Sequence, residues 1–176
     1  LAKARIKPLH FPTVLGAIVV TYNVPEVKGE LKLTPEALAG VFLGKIRKWN
    51  DPELARANPE LKLPAADIVV VHRSDGSGTT YVWTDYLAKT NAEWKSRVGS
   101  GTAINWPTGL GAKGNDGVAG LVKQTPYSIG YVELTYAIQN RMHYARVRNA
   151  AGAFVRPELA TVTAAAAGAA ANMPDD

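Results

Sequence analysis

The sequence predicts an α/β domain in which helices flank a mixed β-sheet. Apolar, β-branched runs of strand length alternate along the chain with amphipathic stretches of helix length, which is the order that α/β folds show. The chain has 176 residues, of which 47% are hydrophobic and 20% charged, and this is enough for one buried core. The sequence contains no internal repeat and no apolar run of about 18 residues, the minimum for a membrane helix.

The first part of the chain is predicted to run from a buried strand into a capped helix. Residues 11–22 form a β-branched apolar run typical of a buried strand, which Pro25 ends. Residues 33–46 predict a helix, because Thr34 is a suitable cap and Pro35 suits the first helical position. The inward stripe of this helix is predicted to contain Leu38, Val41, Phe42 and Ile46, with Trp49 closing it.

The middle of the chain alternates short elements. Residues 51–67 predict a short helix or loop broken by prolines, and residues 68–72 predict a short strand. Residues 79–87 predict a helix, and residues 92–97 predict a further helical turn that Asn91 caps. The face shared by the longer helix is predicted to consist of Val82, Trp83, Tyr86 and Leu87.

The last part of the chain is predicted to contain two helices, a strand and a hairpin. Residues 116–124 predict a helix, and residues 129–138 predict a strand. Residues 142–147 and 153–155 flank an Asn-Ala-Ala-Gly turn and predict a hairpin. Residues 157–171 predict an alanine-rich helix, because helix propensity explains this tract better than disorder does.

Composition narrows the functional classes. Cysteine is absent, which excludes disulfides, thiol catalysis and cysteine-type zinc sites. The three histidines, His10, His72 and His143, lie far apart and form no metal-ligand spacing. The net charge is +5, but the basic residues are spread along the chain without a basic run. This charge suits an anionic ligand, and a basic nucleic-acid-binding domain is an alternative.

The stretch 73–80, Arg-Ser-Asp-Gly-Ser-Gly-Thr-Thr, lies between a predicted strand and a predicted helix. The first N–H groups of a helix have no internal partners, and the helix dipole adds positive charge there. Gly76 and Gly78 are expected to take a positive φ and to let the backbone approach a ligand. Hydroxyl donors are expected from Ser77, Thr79 and Thr80.

Arg73 adds to this turn a planar cation suited to bidentate contact with phosphate or carboxylate oxygens. Together these groups predict an oxyanion site. Asp75 is expected to pair with Arg73 and to orient its guanidinium. The simpler interpretation is a polar turn in which Ser77 only caps the helix. A phosphatase or phosphotransferase with Ser77 as nucleophile is a further alternative, although the sequence assigns no base to it.

Two other features resemble functional motifs and are interpreted as structural. Residues 109–114 match G-x-G-x-x-G, and Glu133 follows at the spacing of a dinucleotide-binding motif. Pro107 and the poor strand before it disagree with that motif, so we expect a flexible loop that leads into a helix capped by Asn115 or Asp116. His72 directly precedes Arg73 and should face the opposite way on a strand, which favours a structural or surface role.

Four ordered blocks of sequence carry a resemblance to a known family. They are FPTVLGAIVVTYNVP at 11–25, LTPEALAGVFLGKIRKWNDP at 33–52, HRSDGSGTTYVWTDYLAK at 72–89 and GAKGNDGVAGLVKQTPYSIGYVELTYA at 111–137. In these blocks the chain resembles the substrate-binding protein of the bacterial phosphate ABC transporter. The resemblance implies a lobe of the type II periplasmic-binding-protein fold that binds inorganic phosphate without catalysis or cofactor. It implies phosphate contacts from Arg73, Ser77, Gly78 and Thr79, with Asp75 paired to Arg73.

The resemblance also implies a domain organisation. Residues 1–22 would be the last strand region of a first lobe together with the hinge, and residues 23–176 would be the second lobe. The N-terminal and C-terminal first-lobe segments, which carry the opposite wall of the site in this family, are not found in the sequence. Expected partners are phosphate, the membrane permease of the transporter and possibly a separate chain carrying the first lobe, with no nucleic acid. The expected location is periplasmic or extracellular, with a signal peptide not in this chain.

Overall fold

A mixed β-sheet of five strands organises the fold, and a second sheet of three strands lies beside it. The structure is a computed structural model that describes residues 15–169. The strands are β1 (Ile18–Asn23), β2 (Lys32–Leu33), β3 (Val69–Arg73), β4 (Leu110–Ala112), β5 (Ser128–Glu133), β6 (His143–Tyr144), β7 (Arg146–Arg148) and β8 (Phe154–Val155). The helices are α1 (Pro35–Phe42), α2 (Pro52–Ala57), α3 (Gly78–Thr90), α4 (Ala92–Arg97), α5 (Gly114–Gln124), α6 (Leu134–Gln139) and α7 (Leu159–Ala169).

The larger sheet has the strand order β4-β3-β5-β1-β6. β3 runs parallel to both β4 and β5, whereas β1 runs antiparallel to β5 and β6. The β1–β5 register pairs Ile18 with Glu133 and Asn23 with Ser128. In the smaller sheet β2 pairs in parallel with β7, and β7 pairs antiparallel with β8. The predicted α/β class with a mixed sheet is therefore confirmed.

Two hydrophobic cores lie on opposite faces of the larger sheet, because successive side chains of a strand point to opposite sides. Along β5, Tyr131 belongs to one core and Val132 to the other. The first core lies under α1 and α3, and its largest fully buried side chains include Trp49, Trp94 and Phe42. The second core is made mainly by α5 and α6 against the sheet. The sheet is thus covered by helices on both faces.

Helix α1 begins where the sequence predicts and ends earlier. The Thr34 side chain accepts a hydrogen bond from the Ala37 N–H at 3.1 Å, and the predicted inward stripe is buried. The predicted end at residue 46 is wrong, because Gly44 adopts a φ of 72° after the last turn. The Gly44 N–H then donates to Val41 at 3.0 Å and the Lys45 N–H to Gly40 at 2.9 Å, which is the Schellman pattern of helix termination.

The predicted inward face of helix α3 is partly correct, since Trp83 and Leu87 are buried and Tyr86 packs against the core. Val82 is 52% exposed, which contradicts its inward assignment. The buried positions are Thr80, Trp83, Thr84 and Leu87, which recur at helical spacing. Two threonines occupy inward positions because their hydroxyl groups find partners there. The Thr84 hydroxyl donates to the Thr80 carbonyl at 2.8 Å and accepts from the Gly101 N–H at 3.1 Å.

The strand predicted over residues 129–138 is half correct. β5 ends at Glu133 and α6 follows at once, because Leu134 and Ala137 recur at helical spacing and pack into the second core. The predicted loop at 110–112 is wrong as well, since β4 pairs there with β3. Helix α5 begins at Gly114 after Lys113, so the expected cap at Asn115 or Asp116 is also wrong.

The remaining predicted elements differ from the structure mainly at their ends. β1 begins at Ile18, and residues 11–14 of the predicted first strand lie outside the described residues. The turn at 149–152 connects β7 and β8 as expected, but β6 pairs with β1 in the other sheet. α7 covers most of the predicted alanine-rich helix and has no buried side chain, and residues 170–171 lie outside the described part. Within residues 15–169 no helix is long and apolar enough to cross a membrane.

Candidate anion-binding site

The candidate site lies where β3 ends and α3 begins. β3 has parallel neighbours on both sides, and the turn at residues 74–77 leaves the carboxyl end of this parallel segment. In open α/β sheets this edge is where ligands commonly bind. The topology therefore places the predicted turn, with Arg73 on one side and the α3 N-terminus on the other, in a position suited to a ligand.

Arg73 and Asp75 form the charged part of the site. Arg73 Nε donates to Asp75 Oδ1 at 2.7 Å, and Nη2 donates to Oδ2 at 2.6 Å. The hydrogen bonds from Arg73 and from the Gly114 N–H hold the pKa of Asp75 well below its usual range. A guanidinium has five N–H donors, so this contact leaves both hydrogens of Nη1 and one of Nη2. In residues 15–169 these hydrogens have no other acceptor.

The first turn of α3 supplies backbone donors. The Ser77 N–H donates to the Thr102 carbonyl at 2.8 Å, and the Ser77 carbonyl accepts the Tyr81 N–H at 3.0 Å. The Ser77 Oγ accepts the Thr80 N–H at 3.2 Å, as an N-cap does. No protein acceptor among the described residues contacts the N–H groups of Gly78 and Thr79. These two donors lie at the positive end of the α3 dipole.

The glycines of the turn differ from the expectation in their conformation. The described glycines with positive φ lie elsewhere, and neither Gly76 nor Gly78 is among them. Both glycines are instead adjacent to open space, since a Cβ added at either position would meet no atom within 4 Å. The expected positive φ is therefore wrong, because α3 begins without a left-handed residue, whereas access to the backbone is present.

The three hydroxyl groups that were expected to donate, those of Ser77, Thr79 and Thr80, are not equivalent. Thr80 is 1% exposed, and its Oγ1 lies 2.7 Å from the Tyr131 hydroxyl, so it faces the core rather than a ligand. Thr79 is half-buried, and its Oγ1 has only a long contact of 3.5 Å with Asn115 Nδ2. Ser77 Oγ accepts one hydrogen bond, which leaves its own hydrogen available for donation. Thr80 is thus excluded from the expected hydroxyl donors.

Tyr131 is a site residue that the sequence analysis missed. Its hydroxyl accepts the Arg73 N–H at 3.2 Å and is bonded to Thr80. Its ring stacks on Trp83 at 5.5 Å between centroids, and burial raises its pKa. The signal in the sequence is a tyrosine within the buried strand Ser-Ile-Gly-Tyr-Val-Glu, where a hydroxyl group needs a partner.

The imidazole of His72, beside the turn, has structural partners. His72 packs on Trp106 and contacts the Arg73 carbonyl, so the structural role predicted for it agrees with its position.

A shallow pocket of about 360 Å³ borders the turn and is lined by residues 72–75 and 103–106. Among residues 15–169 no group of three or more His, Asp or Glu side chains is placed to hold a metal ion.

The G-x-G-x-x-G pattern at 109–114 has a structural explanation. Gly109 has a φ of 113°, and a Cβ there would lie 2.7 Å from the Val70 carbonyl oxygen. Residues Leu110–Ala112 are themselves the edge strand β4. A dinucleotide-binding motif follows a strand rather than forming one, so the interpretation of this pattern as structural agrees with the fold.

Comparisons with known proteins find relatives over most of the chain. A family model described as a PBP superfamily domain matches residues 1–175. The phosphate-binding protein PstS of Pasteurella multocida is 54% identical over 167 residues, which cover 94% of this chain and 48% of that protein. The PstS of Methanocaldococcus jannaschii is 46% identical over 177 residues, covering 96% of this chain and 46% of that protein. The chain therefore spans about half the length of the curated relatives it matches.

Solved structures show the same arrangement of elements. PstS from Borrelia burgdorferi superposes with a TM-score of 0.61 at 25% identity, covering 86% of this chain and 54% of that one. A high-affinity periplasmic phosphate-binding protein (PfluDING) bound with phosphate superposes with a TM-score of 0.62 at 27% identity. That match covers 92% of this chain and 47% of the other.

Proposed function

This chain belongs to the PBP superfamily, and we propose that it binds inorganic phosphate as part of a receptor for an ABC transporter. The predicted fold class, an α/β lobe of the type II periplasmic-binding-protein kind, is confirmed. The observation that carries the proposal is the set of unused donors at one turn, from the Arg73 guanidinium and the N–H groups of Gly78 and Thr79. The relatives named phosphate-binding proteins support it.

Each group has a distinct role in the proposed site. Arg73 supplies charge and the free edge of its guanidinium, while Asp75 holds the opposite edge. Gly78 and Thr79 donate backbone N–H groups, and the Ser77 and Thr79 hydroxyls donate as well. Hydrogen bonds to a charged group contribute about 1.5–3 kcal/mol each. A small number of them therefore binds a phosphate dianion without full neutralisation of its charge.

We place this turn on one wall of a two-walled site. In this proposal residues 23–176 form the second lobe, and residues 1–22 were expected to contribute the hinge and the last strand region of the first. Residues 18–22 of β1 pair with β5 and β6, so we assign them to the sheet of the second lobe. The coverage of about half of the relatives supports an opposite wall outside this chain's residues, in a longer protein or in a separate chain. Closure of two lobes would exclude water and strengthen each charged contact. Delivery to a membrane permease, in the periplasm or outside the cell, completes the proposal.

Two alternative functions lack a specific observation in their favour. Ser77 Oγ serves as a helix cap, and no His, Asp or Glu side chain among the described residues contacts it to act as a base. We therefore propose binding without bond cleavage. Five described arginines outside the turn pair with glutamates: Arg56, Arg97, Arg146, Arg148 and Arg156. These pairs offset part of the positive charge that a nucleic-acid-binding face requires.

The proposal is tested by titrating the complete ¹⁵N-labelled receptor, which carries both walls of the proposed site, with inorganic phosphate against chloride at matched ionic strength. We expect saturable amide shifts at Gly78 and Thr79. Arg73→Lys should weaken binding about tenfold or more, because an ammonium lacks the planar fork that serves Asp75 and a ligand together. Arg97→Lys is the matched control, since Arg97 pairs with Glu93 on the surface of α4 and exposed pairs contribute little.

A complete wild-type receptor without shifts at these two amides would contradict the proposal. Equal phosphate affinity in Arg73→Lys and wild type would also contradict it, because the guanidinium would then have no part in binding.

A further inference from the structure

One buried hydroxyl group connects the two halves of the candidate site. Arg73 is the last residue of β3, whereas the backbone donors belong to the first turn of α3. The Tyr131 hydroxyl accepts the Arg73 N–H at 3.2 Å and lies 2.7 Å from Thr80 Oγ1. The Thr80 N–H in turn donates to Ser77 Oγ at 3.2 Å. Hydrogen bonds therefore connect the Arg73 backbone to the helix cap at Ser77, with Thr80 as the residue that takes part in both the Tyr131 and the Ser77 contact.

The position of this hydroxyl on the sheet explains why it is needed. β3 pairs with β5 at Val69 and Val70, and this ladder has ended before Arg73 is reached. The Tyr131 side chain takes over at that point by supplying an acceptor for the Arg73 N–H. A buried N–H without an acceptor is costly. The bond therefore fixes the strand end from which the guanidinium projects.

The surroundings of Tyr131 hold the hydroxyl in one place. The residue is fully buried, and its ring stacks on Trp83 at 5.5 Å and on Trp106 at 5.7 Å between centroids. Thr80 is also buried, so both hydroxyl groups are shielded from water that would compete for their hydrogen bonds. A ligand bound by Arg73 and by α3 requires a constant distance between these two elements, and the Tyr131–Thr80 bond sets that distance.

We propose that Tyr131 is a positioning residue of the phosphate site, which aligns the Arg73 guanidinium with the α3 N-terminus. This inference rests on the proposed function. Its competing explanation is a purely structural role of Tyr131 in the aromatic core. The two explanations differ in one respect, since a structural role affects stability alone and a positioning role affects phosphate affinity beyond it.

The chain contains a matched control for this distinction. Tyr22 is also a buried tyrosine of the same sheet, on β1. Its hydroxyl accepts the Leu31 N–H at 3.2 Å and contacts the Gly29 carbonyl at 3.3 Å. Tyr22→Phe and Tyr131→Phe thus remove the same kind of buried bond, but only the second removes one that reaches Arg73.

The experiment measures phosphate affinity by amide shifts and, separately, amide hydrogen exchange in the ligand-free chain. We expect Tyr131→Phe to weaken phosphate binding about fivefold or more, the factor that one neutral hydrogen bond contributes. Tyr22→Phe should stay within about twofold of wild type, since its hydroxyl has no path to the site. Exchange should rise at Arg73 and Thr80 in the first variant and at Leu31 in the second.

Substitutions at Thr80 test the same bond from the helix side and serve if Tyr131→Phe does not fold. Thr80→Val removes the bond to Tyr131 but leaves the Arg73 N–H bonded to the Tyr131 hydroxyl. It should therefore lower affinity by no more than Tyr131→Phe does, and the double variant should bind about as weakly as Tyr131→Phe alone. Thr80→Ser keeps the hydroxyl and should retain the wild-type affinity.

The outcomes are distinguishable. A complete wild-type receptor that does not respond to phosphate overturns the proposed function, and this inference with it. Wild-type binding together with equal affinities of Tyr131→Phe and Tyr22→Phe overturns the inference alone and leaves phosphate binding in place. Additive losses in the Tyr131 and Thr80 double variant also overturn it, because two residues sharing one bond cannot act independently.

Discussion

The imidazole of His72 stacks on the indole of Trp106, with ring centroids 4.7 Å apart and 14° between the ring planes. The His72 Nδ1 lies 3.0 Å from the Arg73 carbonyl oxygen. Because a carbonyl only accepts, the neutral ring carries its proton on Nδ1. Trp106 stacks in turn on Tyr131. The histidine is therefore part of the packing behind the strand end from which Arg73 projects.

This contact predicts a pH dependence of stability. Burial lowers the pKa of His72, so the unfolded chain binds this proton at a higher pH than the folded chain does. The contribution of the neutral ring is complete above about pH 6.5 and is lost as the pH falls below it. His72→Phe keeps an aromatic ring against Trp106 and removes the titration. We expect its free energy of unfolding, measured in urea, to fall less than that of wild type between pH 7 and pH 5.

Identical slopes of unfolding free energy against pH in wild type and His72→Phe would refute this expectation. The comparison is internal to each protein, so a constant loss of stability from the missing hydrogen bond to Arg73 does not affect it.

Asp75→Asn tests the opposite pH range. The hydrogen bond from Arg73, followed by that from Gly114, lowers the pKa of Asp75. The carboxylate therefore stabilises the fold above the ordinary pKa of about 4, and this contribution is lost as the pH falls through the lowered value. From about pH 5 to pH 8 the carboxyl group is ionised in both the folded and the unfolded state, so wild type should be more stable than Asp75→Asn by a constant margin. This margin should shrink below about pH 4.

The measurement for Asp75→Asn is the thermal midpoint across this pH series. Glu53→Gln is a suitable control, because Glu53 belongs to an exposed pair with Arg56 on α2, and such pairs contribute little. A margin for Asp75→Asn that stays constant into acid would contradict the assigned role of the carboxylate.

Gly78→Ala separates ligand access from folding. A Cβ at Gly78 meets no protein atom within 4 Å, and its φ is not positive. We therefore expect unfolding free energy within about 1 kcal/mol of wild type, together with weaker phosphate binding because the methyl group occupies space in front of the turn. Gly120→Ala is the control, since its Cβ also meets open space on α5. Its expected effect is a gain in stability without a change in phosphate affinity.

Gly109→Ala tests the structural explanation of the glycine-rich segment. Its φ of 113° is costly for any residue with a Cβ, and that Cβ would lie 2.7 Å from the Val70 carbonyl oxygen. Gly152 also has a positive φ, 82°, but open space around it. We expect Gly152→Ala to cost about 1 kcal/mol and Gly109→Ala about 2 kcal/mol more, since it adds a steric clash with backbone to the strain. Chemical denaturation of the two variants measures this difference.

Local signals explain which features the sequence could predict. Thr34 and Asn91 cap the helices that follow them, because a cap depends on residues within one turn. The Schellman end of α1 also had a local signal in Gly44, which the periodic apolar stripe through Ile46 outweighed. The position of the anion-binding turn was similarly local, since strand, glycines and hydroxyls are contiguous there.

Contacts between distant residues explain what the sequence could not predict. The inward orientation of Thr80 depends on Tyr131, and the engagement of the Ser77 N–H depends on Thr102. In both cases the partner comes from a different element, so no spacing in the sequence indicates it. The fold brings the two together only after the strands have paired, and the hydroxyl groups of one turn then acquire different roles.

The lack of buried side chains in α7 has a consequence for every stability measurement described above. A helix of about eleven residues is marginal on its own in water, and tertiary packing usually supplies its stability. α7 should therefore open locally at little free-energy cost, ahead of the two cores around β3, β5 and β1. The cooperative transition seen in denaturation would report on those cores alone. The substituted positions His72, Asp75, Gly78 and Gly109 lie on or next to β3, α3 and β4, so their effects would be measured by that transition.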